Sequence, residues 1–431
     1  MEAEDKERFF STSRVVRIFI YFLGIFVLKG ASLILTPLYT HVFTTDQYGT
    51  IELANSITAF LSNIISLGLC QYLGIEYFHL KDRERTAAVE KNIILYLMIS
   101  TPAIILFFIL NFAGMLSFTT VDKLMLFFVG INTYLAYFSG LCLMLCKNQQ
   151  KTNLMTVIQF IVGIMTLVLN YCGIIVLGWN IYSTLITTAI TGMVFVIILP
   201  FVYKFDVSIR GIQFSKSETN LILRISIPLA ITSIVNSVLL LGDRWILNYF
   251  CSTSEIGIYS LCTKIGSIFE LVLVNTLTIF YAPNTYKNFQ ENGMIIAEKK
   301  NRKIFWVYII IAILMALTFI ALIHWVFPLL IDNRYAESEK YLWIVLVGDI
   351  FIGATYFRTY LVNYYKKTKY ILYMNVAAMV FNILANLLFI PKFQIWAAAW
   401  TTASSYVLMF IIAEFVNHNL MRKLKNENNI S

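Results

Sequence analysis

The chain has 431 residues, of which 59% are hydrophobic and 13% charged, and a net charge of +9. A water-soluble domain carries about 25% charged residues, so this chain has too little polar surface to face water, and the missing solvent is lipid. Nucleic-acid binding is excluded as well: the basic residues sit in short clusters between apolar runs, a pattern of membrane orientation signals rather than of one basic face.

About 20 apolar residues cross a bilayer as a helix. Runs of that kind predict spans over residues 15–38, 49–74, 90–113, 121–145, 153–176, 181–203, 222–247, 256–282, 304–327, 341–365, 370–390 and 395–418. The first has no small-residue cleavage site after it and reads as a retained helix rather than a signal peptide. Most connections are short, so consecutive helices are expected to be antiparallel neighbours, and the longest connections are 204–221 and 283–303. The predicted fold is an all-α integral membrane protein of about 12 transmembrane helices.

Lys and Arg alternate with these spans. Segments on one side carry 25 of the 33 basic residues, segments on the other side carry 4, and the remaining 4 (Lys29, Arg244, Lys264 and Arg358) lie within spans. Miscounting one central helix would scramble that split. It therefore supports twelve spans with both termini in the cytoplasm.

The sequence also repeats. Thr44-Thr-Asp-Gln-Tyr-Gly49 resembles Ser252-Thr-Ser-Glu-Ile-Gly257 at an offset of 208, and Asn170 through Ala189 resembles Asn386 through Ala403. A parallel repeat of six helices predicts two pseudo-symmetric six-helix bundles: a lobe over 1–203, a cytoplasmic linker over 204–221, and a lobe over 222–431 with a short cytoplasmic tail. That is a transporter architecture.

Polar stripes recur in matching places. The seventh span puts Ser233, Ser237, Arg244 and Asn248 on one face, and the first puts Lys29, Ser32 and Thr36 on one face. The eighth carries Ser260, Lys264 and Ser267, and the second carries Glu52, Asn55, Ser56, Asn63 and Ser66. Ser, Thr and Asn stripes are explained equally well as helix-packing contacts. Charges are not, because a Lys or Arg at mid-span costs roughly 2.5–3.5 kcal/mol and is kept for function. Lys29, Arg244, Lys264 and Arg358 are therefore candidate cavity cations for an anionic substrate. Glu52, Asp243, Glu270 and Asp349 are candidate ion-coupling carboxylates, with internal salt bridges as the alternative. Arg244, Glu52 and Arg358 lie near span ends, where snorkelling to the interface is a further alternative. Asp349 starts a stripe with Tyr356, Tyr360 and Asn363 that suits sugar stacking or simple packing.

Other chemistry is not signalled. No GxxxxGK[ST], HExxH or GxSxG occurs, the six cysteines form no CxxC, and the four histidines are scattered. No cofactor or metal is implied. No outward connection exceeds about 15 residues, which disfavours a polymerase or glycosyltransferase with a catalytic outer loop.

Several stretches resemble the Wzx-type polysaccharide-transport flippases of the multidrug/oligosaccharidyl-lipid/polysaccharide (MOP) exporter superfamily. They are Lys29-Gly-Ala-Ser-Leu-Ile-Leu-Thr-Pro37 with Asp46-Gln-Tyr-Gly49, Ser226-Ile-Pro228, Gly242-Asp-Arg-Trp-Ile-Leu247 with Glu255-Ile-Gly-Ile-Tyr259, and Asn386-Leu-Leu-Phe-Ile-Pro391 with the Ala397-Ala-Ala run. Gln394-Ile-Trp396 departs from the glycine-rich turn expected there. The resemblance implies two six-helix lobes around a cleft and alternating access that moves a polyprenyl-diphosphate-linked oligosaccharide across a bacterial plasma membrane, with ion-driven antiport at family level. It implies membrane lipid and that glycan as partners, a polysaccharide polymerase and a chain-length regulator as neighbours, and action as a monomer. The competing readings are a drug/cation antiporter of the same fold and, further off, a glycan-assembly membrane enzyme.

Overall fold

Residues 30–31, 33–116, 120–203, 215–276, 281–367 and 369–428 are described from a computed structural model. Lys29, most of the first predicted span and most of the 204–221 linker lie outside them. The described chain is helical throughout: α1 (Leu33–Val42), α2 (Thr45–Ile65), α3 (Leu69–Glu76), α4 (Asp82–Phe112), α5 (Lys123–Asn148), α6 (Thr152–Tyr171), α7 (Ser183–Val202), α8 (Lys216–Phe250), α9 (Thr253–Thr276), α10 (Ala282–Leu330), α11 (Glu339–Tyr364) and α12 (Lys369–Asn428). Two of these are double. α10 breaks at Gly293 and α12 at Gln394, so α12 holds the eleventh and twelfth spans, divided where the sequence divides them. About twelve helices therefore lie among the described residues.

The outer surface explains why water is excluded. Trp306, Val307, Ile310, Leu314 and Leu317 of α10 are all more than half exposed. Five large apolar side chains along one exposed helix face are stable only against hydrocarbon. Trp325, Trp343, Trp396 and Trp400 are exposed too. They belong to the end of the ninth span and the starts of the tenth and twelfth, which antiparallel threading brings to one level. That is the position of an interfacial aromatic belt.

The second predicted span is not continuous. Leu67 and Gly68 both take positive φ, and α2 and α3 meet at a 54° bend. A Cβ on Gly68 would meet the Ser226 carbonyl oxygen and come within 2.8 Å of the Ala230 nitrogen. Only glycine provides both the backbone conformation and the close approach of α8.

The described residues form two compact units by contact, one comprising the chain up to 42 with 53–234, the other 43–52 with 235 onward. The first unit centres on α3, α4, α5 and α7. Its core stacks Tyr96 on Tyr137 at 3.8 Å between ring centroids. Asn92 satisfies that layer by donating to the Leu69 carbonyl at 3.1 Å and accepting from the Tyr137 hydroxyl. In the second unit α11 is the central element, packed on α9, α10 and α12. Gly348 of α11 allows the approach of Ala403 and Tyr406.

Gln394 has φ 50° and ψ −126°. A side-chain-bearing residue held in such a region costs about 1–3 kcal/mol, and glycine relieves most of it. Gln394→Gly is expected to stabilise the protein by roughly 1 kcal/mol and Gln394→Val to destabilise it, read as thermal unfolding midpoints in detergent. A midpoint lowered by the glycine would show that the turn is not strained.

Candidate functional site

The site is built from the repeated motif. Thr44 and Gln47 form a reciprocal capping box at the start of α2: the Thr44 N–H donates to Gln47 Oε1 at 3.0 Å, and the Gln47 N–H donates to Thr44 Oγ1 at 3.2 Å. Ser252 and Glu255 do the same for α9, at 2.9 and 3.4 Å. Each box satisfies orphan N–H groups at a helix start. Two residues beyond each box lies a glycine. A Cβ on Gly49 would collide with the Thr253 carbonyl oxygen, and one on Gly257 with the Thr45 carbonyl oxygen. The contact is reciprocal, so the first turns of α2 and α9 cross backbone to backbone, tied by a 2.6 Å hydrogen bond from Ser254 to Thr45. Tyr335 closes the crossing by donating to the Phe43 and Thr44 carbonyls, both at 3.0 Å.

Just past that crossing, the polar faces of α2 and α9 meet. Lys264 Nζ lies 3.6 Å from Glu52 Oε1 and 3.3 Å from the Tyr48 hydroxyl. Its ammonium also lies 5.6 Å from the Tyr48 ring centroid. One candidate cation and one candidate carboxylate thus form a pair, with both side chains about one-sixth exposed. One turn earlier on the same face of α9, Ser260 accepts from Arg244 Nε at 2.9 Å, and Thr263 accepts from Arg244 Nη2 at 3.1 Å. Residues four apart on a helix are neighbours, so Arg244 and Lys264 place two cations along one side of α9, with the carboxylates Glu52 and Asp243 beside them.

Asp243 points differently. Its Oδ1 accepts the Arg244 N–H at 2.8 Å, while Oδ2 accepts from the Tyr259 hydroxyl and lies 3.5 Å from the Thr402 hydroxyl. Asn382 donates to Thr402 at 3.3 Å, and Asn386 donates to Asn382 at 2.9 Å. The two acids Glu270 and Asp349 are electrostatic neighbours. Asp349 is buried, and its Oδ2 meets no hydrogen-bond donor among the described residues. The buried Tyr406 of α12 lines one pocket with Glu270.

Arg358 is engaged elsewhere. It pairs with Glu298 at 3.5 Å and with Glu414, and its guanidinium lies 4.4 Å from the Phe305 ring centroid. Asn417 and Asn301 donate to Glu298 at 3.1 and 3.4 Å. Its charge is matched by carboxylates of α10 and α12. Glu298, Thr402 and Asn382 are not marked as site residues by the sequence, and Tyr259 enters only as the end of a family motif. Glu298 alone carried a signal: it is an acid beside Lys299 and Lys300 in a basic connection. Lys29 lies outside the described residues.

Buried charges on broken, lipid-facing helices define a multi-pass membrane protein. The fold is that of an inward-facing multidrug resistance MATE family transporter of the MOP superfamily, at TM-score 0.74 and 11% identity, covering 94% of this chain and 99% of that one. It is equally that of the lipid II flippase MurJ in an inward closed conformation, at TM-score 0.73 and 13% identity, covering 94% and 87%. Residues 15–281 match the polysaccharide biosynthesis protein family, and the chain belongs to it. That match bears out the resemblance carried by the motifs around Gly49 and Gly257. No curated protein matches the chain in sequence.

Proposed function

We propose that the chain is a flippase that moves a polyprenyl-diphosphate-linked oligosaccharide repeat unit, of O-antigen, capsule or a related polysaccharide, across a bacterial inner membrane by alternating access. The observation that carries this reading is the pair of cations held against α9, Arg244 reaching it from α8 and Lys264 on it, in a chain of the polysaccharide biosynthesis family. Two positive groups held in a low-dielectric setting attract a diphosphate strongly. Lys29, which the repeat aligns with the same polar face, is the third cation of this reading. Asp243, Glu270 and Asp349 are the coupling carboxylates, and Glu52 tunes the charge of Lys264. Both termini face the cytoplasm, and the work is done by one copy of the chain.

The test is lipid-linked oligosaccharide in cells lacking the gene, complemented at matched expression. Wild type is expected to clear a cytoplasmic-leaflet build-up that Lys264→Ala and Lys29→Ala leave in place. Asp243→Asn is expected to slow clearance while retaining substrate binding. Unchanged glycan export without the gene would remove the flippase reading and favour a drug/cation antiporter on the same fold. Normal clearance by both lysine variants would keep the function and remove the cationic site.

A further inference from the structure

The two halves of α12 enclose a groove of about 410 Å³ beside the break at Gln394. Its walls are aromatic: Phe389 and Phe393 come before the break, Trp396 and Trp400 after it, and all four are exposed. Ala385 and Ala397 line it too and are buried, so small side chains leave the space between the larger ones. The Thr401 hydroxyl is turned inward to Asn386, so Ser404 supplies the remaining polar group of the lining.

The surroundings select an occupant. A concavity on a lipid-facing surface is filled, because an empty one forfeits the dispersion contacts of its whole lining. At that depth hydrocarbon is the solvent. The volume falls in the range of ligand pockets, about 300–1,000 Å³, so a length of acyl chain fits and a large headgroup does not. The tryptophans set the depth: Trp396 and Trp400 stand where an interfacial belt lies, with ring bodies for the chain and N–H groups for ester or phosphate oxygens.

The rim tells which lipid. Lys392 is exposed and follows Phe389 and precedes Phe393 at the i, i+3, i+4 spacing of one helix face. By the charge asymmetry of the sequence this turn is at the outer surface, where basic residues are scarce. No Asp or Glu lies between Asp349 and Glu414. The start of α11 adjoins the groove, with Tyr341 against Trp396 at 5.0 Å, and the acids just before it are engaged: Asp332 by Arg334, Glu339 by His324 and Glu337 by Lys340. A second copy of the chain seated here would add another Lys392 and no acid. An anionic headgroup supplies the missing charge, whereas a zwitterionic one carries its own ammonium, which competes with Lys392 for the phosphate.

We propose that this groove is a binding site for an anionic phospholipid of the outer leaflet, one acyl chain lying among Phe389, Phe393, Trp396 and Trp400 and the phosphate held by Lys392. The occupant is a resident lipid and not cargo. The site wedges the break between the eleventh and twelfth spans, and it stands apart from the flippase reading, which survives if the site fails.

The experiment uses the full chain in nanodiscs of phosphatidylcholine and two quenching probes, phosphatidylglycerol and phosphatidylcholine with brominated acyl chains. Bromine quenches tryptophan fluorescence on contact, and the double variant Trp396→Phe with Trp400→Phe identifies the share of the signal that comes from the groove. In wild type that share is expected to be half-quenched at a mole fraction about fivefold lower for brominated phosphatidylglycerol, the discrimination one lysine near a charged lipid supplies. Lys392→Gln, at an exposed position, is expected to abolish the preference and leave quenching by brominated phosphatidylcholine unchanged. Ser404→Leu, which fills the groove, is expected to reduce quenching by both. Equal quenching by the two lipids in wild type, a comparison that needs no variant to fold, overturns the site. So does a preference that survives Lys392→Gln. Groove tryptophans quenched by neither lipid would show that protein, such as a second copy of the chain, covers the groove, and would overturn the site as well.

Discussion

Replacing Arg358 by methionine is expected to destabilise the second unit by about 3–5 kcal/mol, the cost of breaking a buried ion pair from one side. The side chain is 8% exposed and faces Glu298, itself 13% exposed, as well as Glu414. Removing the cation leaves two carboxylates near each other with one of them buried, and the amide donors of Asn417 and Asn301 replace only part of the lost charge. The double variant Arg358→Met with Glu298→Gln is expected to recover most of the loss, because a neutral amide tolerates the site. Both are read by thermal or denaturant unfolding of the purified protein, alongside glycan export. If Arg358→Met instead keeps its stability and loses export, Arg358 is a substrate-facing cation and the inter-helix clamp is wrong.

The contrast between Arg358 and Lys264 marks how far a sequence alone reaches. Apolar runs and the alternation of basic clusters placed the spans, including the break between the last two, because lipid imposes one requirement on every residue of a span. The repeat around Gly49 and Gly257 was legible as a pattern, and its physical content is two capping boxes followed by two glycines that let helices cross. The bend at Gly68 was not legible, since an apolar run reads the same whether the helix is straight or turns by 54°. Partners were hidden for a related reason. Periodicity gives the face on which a charge lies but not which distant face it meets. Glu52 and Lys264 were singled out separately and pair at 3.6 Å. Asp243, singled out as a candidate coupling carboxylate, turns its second oxygen to Tyr259 and Thr402, partners that the sequence did not reveal.

Gly49→Leu and Gly257→Leu are expected to be the most damaging single changes at the helix crossing, because each side chain would be built into the partner's backbone. A Cβ alone on Gly49 would lie 2.9 Å from the Gly257 nitrogen as well as against the Thr253 carbonyl, and one on Gly257 would lie 3.1 Å from the Gly49 nitrogen. Backbone cannot rotate away as a flexible side chain does, so the helices must separate. Alanine is expected to cost about 1–3 kcal/mol, the usual range for overpacking, and leucine more. Separation would stretch the Lys264–Glu52 pair that follows the crossing and the Ser254–Thr45 hydrogen bond within it, so export is expected to fall along with stability. Gly74 is the control. It lies inside α3, and a Cβ there would meet only the Met144 side chain, Cγ at 3.6 Å and Sδ at 3.8 Å, ordinary contacts. Gly74→Ala is therefore expected to be neutral or to stabilise by roughly 0.5–1 kcal/mol. The comparison isolates the crossing from the general effect of filling a glycine: if Gly49→Leu matches Gly74→Ala in unfolding and in export, α2 and α9 do not need this close approach, and the repeated glycine has some other role.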